Sequence, residues 1–126
     1  MITGFDHVHV MAGNAEEAAT FFEKIFGGRI FAREQAGGLP VVRMDLYGVN
    51  VFIFGTKPGA GQFESGKGLR GVDHIGFKVK DLAKAAEELK KKGARFSVEP
   101  SVTPAGVKFA FIDGPDGLRV ELVERN

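Results

Sequence analysis

The chain has 126 residues, 44% of them hydrophobic and 26% charged, which suits one domain or two small repeated halves. Its 17 Lys and Arg nearly balance 16 Asp and Glu, so a net charge of +1 gives no electrostatic reason to bind nucleic acid. The absence of Cys excludes disulfides, thiolate nucleophiles and Cys-ligated metals, and no leader-like start or long apolar run is seen, so a cytoplasmic protein with no membrane partner is expected.

The chain repeats itself. Residues 4–31 align with residues 71–97, placing Gly4 on Gly71, Asp6 on Asp73, His7 on His74, Asn14 on Asp81 and Ala18-Ala19 on Ala85-Ala86. One extra residue near Phe26 then brings Gly27 and Arg29 onto Gly93 and Arg95. Residues 48–54 align with 117–123, which sets Phe52 against Glu121. The expected organisation is a single domain, 1–126, of repeat units about 1–56 and 70–126 joined by a Gly-rich linker.

In each copy a strand rich in β-branched residues comes first, FDHVHVM and then VDHIGFKV, alternating with period two. Asn14 and Asp81 read as helix N-caps, with Glu17 three residues after Asn14 as in a capping box. Ala15, Ala18, Ala19, Phe22 and Phe26 follow helical spacing, as do Leu82, Ala85, Ala86 and Leu89, and Gly27 and Gly93 read as C-cap glycines. Strands are expected at Val41–Leu46 and Val49–Phe54, and again at Val107–Ile112 and Leu118–Val123, with one more in a stretch such as Arg29–Arg33.

Side chains two apart on a strand share a face. Val8 and Val10 face one way and His7, His9 and Met11 the other; Ile75, Phe77 and Val79 oppose His74; Leu118, Val120 and Leu122 oppose Arg119, Glu121 and Val123. The apolar faces belong under the helices, so all three histidines and Glu121 fall on the uncovered side. They read either as polar residues on half-exposed sheets or as a metal set. Two imidazoles at equivalent repeat positions plus a carboxylate favour the latter, with Fe, Mn, Co, Ni or Zn suited better than Ca.

Asp6-His7-Val8, Asp73-His74-Ile75, and Gly114-Pro115-Asp116-Gly117 leading to Val120-Glu121-Leu122 resemble the vicinal oxygen chelate superfamily across essentially the whole chain. That superfamily includes glyoxalase I, methylmalonyl-CoA epimerase, fosfomycin-resistance thiol transferases, extradiol dioxygenases and bleomycin-resistance binding proteins. The resemblance implies an α+β fold of two tandem βαβββ modules forming an open, cup-shaped mixed sheet, and a homodimer. It also implies one divalent metal ion on His7, His74 and Glu121. The fourth ligand of glyoxalase and the epimerase, Glu or Gln, falls on Phe52, so one of the two carboxylates used in glyoxalase-type proton shuttling is absent.

The function expected from this resemblance is a metal-dependent, glyoxalase-like lyase or isomerase acting on a small α-oxygenated carbonyl substrate by bidentate chelation. Alternatives are an Fe(II)-dependent extradiol-type dioxygenase, a fosfomycin-resistance-like thiol transferase, or a metal-free small-ligand binding protein. His9 and Glu121 are the candidate bases, imidazole titrating near neutrality. Phe52 and Phe54, with Phe63, could wall the substrate, and Arg119 could hold its anionic group. Residues 61–67 have phosphate-loop spacing, but Gly68 replaces the required Ser or Thr and a strand follows, so the segment reads instead as a flexible lid. Lys90-Lys91-Lys92 suits a helix C-terminus.

Overall fold

The computed structural model describes residues 1–125. They fall into two compact units, the first ending at Gly61 and the second beginning at Gln62. The first contains β1 (His7–Ala12), α1 (Ala15–Phe26), β2 (Arg29–Ala36), β3 (Leu39–Leu46) and β4 (Val49–Gly55). The second contains β5 (Ile75–Val79), α2 (Leu82–Lys91), β6 (Arg95–Val102), β7 (Lys108–Asp113) and β8 (Arg119–Glu124). Their sheets are ordered β1-β4-β3-β2 and β5-β8-β7-β6. In each, the first strand runs parallel to the last and the remaining pairs are antiparallel. Each unit is therefore βαβββ, and the class is α+β.

Local chemistry explains the elements. The Asn14 side chain accepts the Glu17 N–H at 3.0 Å and Asp81 accepts the Lys84 N–H at 3.1 Å, satisfying donors that the first helical turn leaves open. Gly27 closes α1 in the left-handed region. The end of α2 differs from the expectation: Lys92 keeps a right-handed conformation, its N–H donating to Leu89 O, and Gly93 turns left-handed one residue later. Of the four edge strands, β2 and β6 are the least legible because register shifts interrupt their pairing with β3 and β7, and a bulge breaks period-two patterning.

The helices cover the faces that alternation assigns to them. Ala15, Ala18, Ala19, Phe22, Ile25 and Phe26 of α1 are buried, as are Val42, Met44, Leu46, Val51 and Ile53 of the sheet. In the second unit the buried set is Leu82 and Ala86 with Ala110, Ile112, Val120 and Leu122. Packing is close where α1 hands over to β2: a Cβ added at Gly28 would stand 2.4 Å from Leu46 Cδ2, 3.1 Å from Met44 Cε and 3.3 Å from the Phe22 carbonyl oxygen. Gly28→Ala is therefore expected to lower stability by about 1–3 kcal/mol through overpacking. The urea midpoint measures it, and an unchanged midpoint would mean that Leu46 and Met44 yield freely.

Candidate metal and substrate face

In the first unit, His7, His9 and Met11 lie on the face of β1 opposite the helix. Parallel pairing sets His7 beside Asn50, His9 beside Phe52 and Met11 beside Phe54. The Phe52 ring stacks on His7 with centroids 4.5 Å apart, and His9 tilts onto Phe54 at 4.0 Å. The Arg43 guanidinium lies 4.6 Å from the Phe52 centroid. His7 Nδ1 sits 2.7 Å from Asp6 Oδ2.

In the second unit His74 stands immediately before β5, and pairing sets Gly76 beside Glu121. His74 Nδ1 is 2.8 Å from Asp73 Oδ1 and its Nε2 is 2.7 Å from Glu121 Oε2. Ionised carboxylates only accept, so this arrangement asks both ring nitrogens to donate. Burial works to lower the His74 pKa, yet the hydrogen bonds and charges of Asp73 and Glu121 together outweigh it and leave it raised. The hydrogen bond to His74, followed by one from the Gly66 N–H, holds the Asp73 pKa below its ordinary value. Phe111 meets His74 edge-on at 4.9 Å, and Arg119 lies 4.0 Å over the Phe111 ring. The Arg119 Nε is buried without a hydrogen-bond partner.

Strand pairing gives the same equivalence as the repeat alignment. His9 faces Phe52 where Gly76 faces Glu121, and Arg43 faces Phe52 where Phe111 faces Glu121. Thus Phe52 covers His7 at the position from which Glu121 bonds His74. Of the residues expected from sequence, the structure joins His74 to Glu121, His7 to Phe52, and His9 to Phe54. Among the described residues no group of three or more His, Asp or Glu gathers as a metal cluster. Phe63 is exposed, at 41%, in the segment before β5. Sequence reasoning missed Arg43, Phe111 and Ser65; the first two were detectable only by extending the repeat register to β3 and β7.

The donor chemistry fits a divalent ion. His7 and His74 each have Nδ1 engaged by the preceding aspartate, an arrangement that fixes an imidazole's orientation and leaves Nε2 as the nitrogen able to ligate. In the second unit that Nε2 lies 2.7 Å from Glu121 Oε2, and a cation bound by both would displace the proton between them and part the two atoms.

This chain is 28% identical to YwkD, an uncharacterized Bacillus subtilis protein, over 135 residues and 99% of each chain. A probable chloroplastic lactoylglutathione lyase of Arabidopsis thaliana is 45% identical over 56 residues, covering 44% of this chain and 16% of the lyase. Lactoylglutathione lyase GLX1 of the same plant is 25% identical over 96% of this chain, which spans 44% of that protein. This chain thus spans less than half the length of these two lyases. Among solved structures, a glyoxalase family protein from Enterococcus faecalis superposes with a TM-score of 0.83 at 22% identity over 98% of both chains. The fosfomycin resistance protein FosX from Listeria monocytogenes superposes at 0.77 with 16% identity, over 100% of this chain and 96% of that one. With a family match extending over residues 4–122, the chain belongs to the Glyoxalase/Bleomycin resistance protein/Dioxygenase superfamily.

Proposed function

We propose that this protein is a metal-dependent lyase or isomerase of the glyoxalase kind, acting on a small α-oxygenated carbonyl compound. His7, His74 and Glu121, whether from one copy of the chain or from two, would be the ligands of a divalent ion of the Fe, Mn, Co, Ni or Zn class. The observation that carries this reading is the pair of Asp-His couples, each with Nδ1 held by an aspartate so that Nε2, once deprotonated, can ligate, and the carboxylate of Glu121 beside one of them. The lactoylglutathione lyases among the relatives support the reaction class. Bound there, the ion supplies Lewis-acid stabilisation of the enolate or oxyanion that develops on the substrate.

The chain's own residues do the rest. Asp6 and Asp73 hold the imidazole planes. His9, exposed and unattached to an aspartate of its own strand start, takes and returns a substrate proton. Phe52 and Phe54 exclude water from one side of the reacting group. Arg119, its guanidinium over the Phe111 ring, receives an anionic substituent. A homodimer belongs to the same reading, since Phe5, Met11 and Phe31 of the first unit are exposed apolar surface that a second copy would cover.

The test is metal content after equal exposure of wild type and Glu121→Ala to a mixture of divalent metals. Near-stoichiometric metal in wild type and its loss in the variant are expected. Equal content in both would remove Glu121 from the ligand set; no metal in either would overturn metal dependence. The aromatic covering of His7 by Phe52 favours one second reading, oxygen-dependent cleavage at Fe(II), for which three protein ligands suffice. Oxygen consumption by the iron-loaded protein would separate it from the first.

A further inference from the structure

The segment preceding β5 is fastened to the site. Ser65 is the buried polar residue of the described chain, with 5% of its surface exposed. Its hydroxyl donates to the Asp73 carbonyl at 2.5 Å and accepts the Arg119 N–H at 3.1 Å. Its own N–H donates to the Gly117 carbonyl at 3.0 Å. The next residue, Gly66, donates its N–H to Asp73 Oδ2 at 2.8 Å, while Asp73 Oδ1 engages His74. Gly117 permits this closeness, because a Cβ there would lie 2.8 Å from the Phe63 carbonyl oxygen, and its φ is +73°.

From this we infer that Ser65 is a positioning residue for His74. Its hydroxyl ties together the backbones that lead into β5 and β8, two strands whose relative placement sets the His74–Glu121 distance. With Ser65 seated, Gly66 fixes one carboxylate oxygen of Asp73, so that the other must face the imidazole. A segment expected to be a lid is instead scaffold. The first unit offers an internal comparison: there Asn50 Nδ2 reaches the Asp6 carbonyl at 3.3 Å, and the Asp6 side chain is 84% exposed. His7 is accordingly oriented by a looser aspartate than His74.

Extended to metal affinity, the inference rests on the function proposed above, so its test has one arm that needs no metal. In the metal-free protein, the ring N–H proton of His74 is followed by NMR in wild type, Ser65→Ala, Ser65→Thr and Lys67→Ala. Cobalt(II) affinity is followed by absorption. Ser65→Ala is expected to remain folded, to lose the protected His74 ring signal while leaving that of His7 unchanged, and to bind cobalt about 10–100-fold more weakly. Ser65→Thr, which keeps the hydroxyl, should restore the signal, and Lys67→Ala in the same segment should match wild type. Where Ser65→Ala does not fold, Ser65→Cys, near in size and a weak donor, gives the same reading. An unchanged His74 signal in Ser65→Ala, or equal loss at His7, would overturn the inference. If wild type binds no cobalt, the metal reading falls, and the ring signal alone decides: its loss in Ser65→Ala supports positioning and its persistence overturns it.

Discussion

The double variant Phe52→Glu/Arg43→Phe is expected to bind divalent metal about 10–100-fold more tightly than wild type. Strand pairing makes Phe52 the counterpart of Glu121 and Arg43 the counterpart of Phe111, so the two changes copy the second unit's arrangement onto the first. A carboxylate then stands beside His7 as Glu121 stands beside His74. Apparent affinities of about 10–16 kcal/mol for four-ligand zinc sites assign roughly 3 kcal/mol to one ligand, and exposure reduces that to one or two orders of magnitude in affinity. Phe52→Glu alone is expected to gain less, because the Arg43 guanidinium, now 4.6 Å from the ring centroid, would pair with the new carboxylate. Loss of the cation–π contact should cost only about 0.5–1 kcal/mol, leaving the fold intact. Competition against a chromophoric chelator reads the affinities. A double variant no tighter than wild type would show that position 52 does not reach the metal.

What the sequence makes legible here follows from range. The outward placement of His7, His9, His74 and Glu121 can be read because strand alternation and the internal repeat are both local patterns, and two copies check each other. The orienting role of Asp6 and Asp73 cannot, since neighbours on a strand point to opposite faces; the aspartates reach their histidines because Asp6 and the Asp73-His74 pair precede the regular strands. Ser65 looks like any serine in a Gly-rich connector, and its burial depends on Gly117 and Arg119, more than fifty positions away. Arg43 hides for a different reason. It interrupts an apolar strand in a way that composition reads as a solvated charge, whereas its aliphatic and guanidinium parts lie along Phe52 and its Nη2 pairs with Glu34 at 3.2 Å.

Phe22→Ala is expected to remove about 3–5 kcal/mol of stability, a large share of the roughly 5–15 kcal/mol that holds a domain folded. Phe22 is fully buried on α1, with the Phe21 and Phe26 rings 5.2 and 6.2 Å from its own. The repeat places Leu89 at the matching position of α2, where it is only part-buried. Leu89→Ala should therefore cost about 1 kcal/mol, a fraction of the ~1.5–3 kcal/mol that complete burial of a leucine contributes. The same fold thus rests on different supports in its two halves: α1 buries six residues, α2 buries Leu82 and Ala86. Polar ties compensate in the second unit, where Glu124 accepts the Leu82 N–H at 2.8 Å and Ser65 joins Asp73 to Arg119. Denaturant midpoints of the two variants, read with amide hydrogen exchange in β3–β4 and β7–β8, check the contrast. Equal losses would mean that the leaner helix face is as strongly supported as the aromatic one, and the polar ties of the second unit would then be ornaments of its stability rather than its substitute for a larger core.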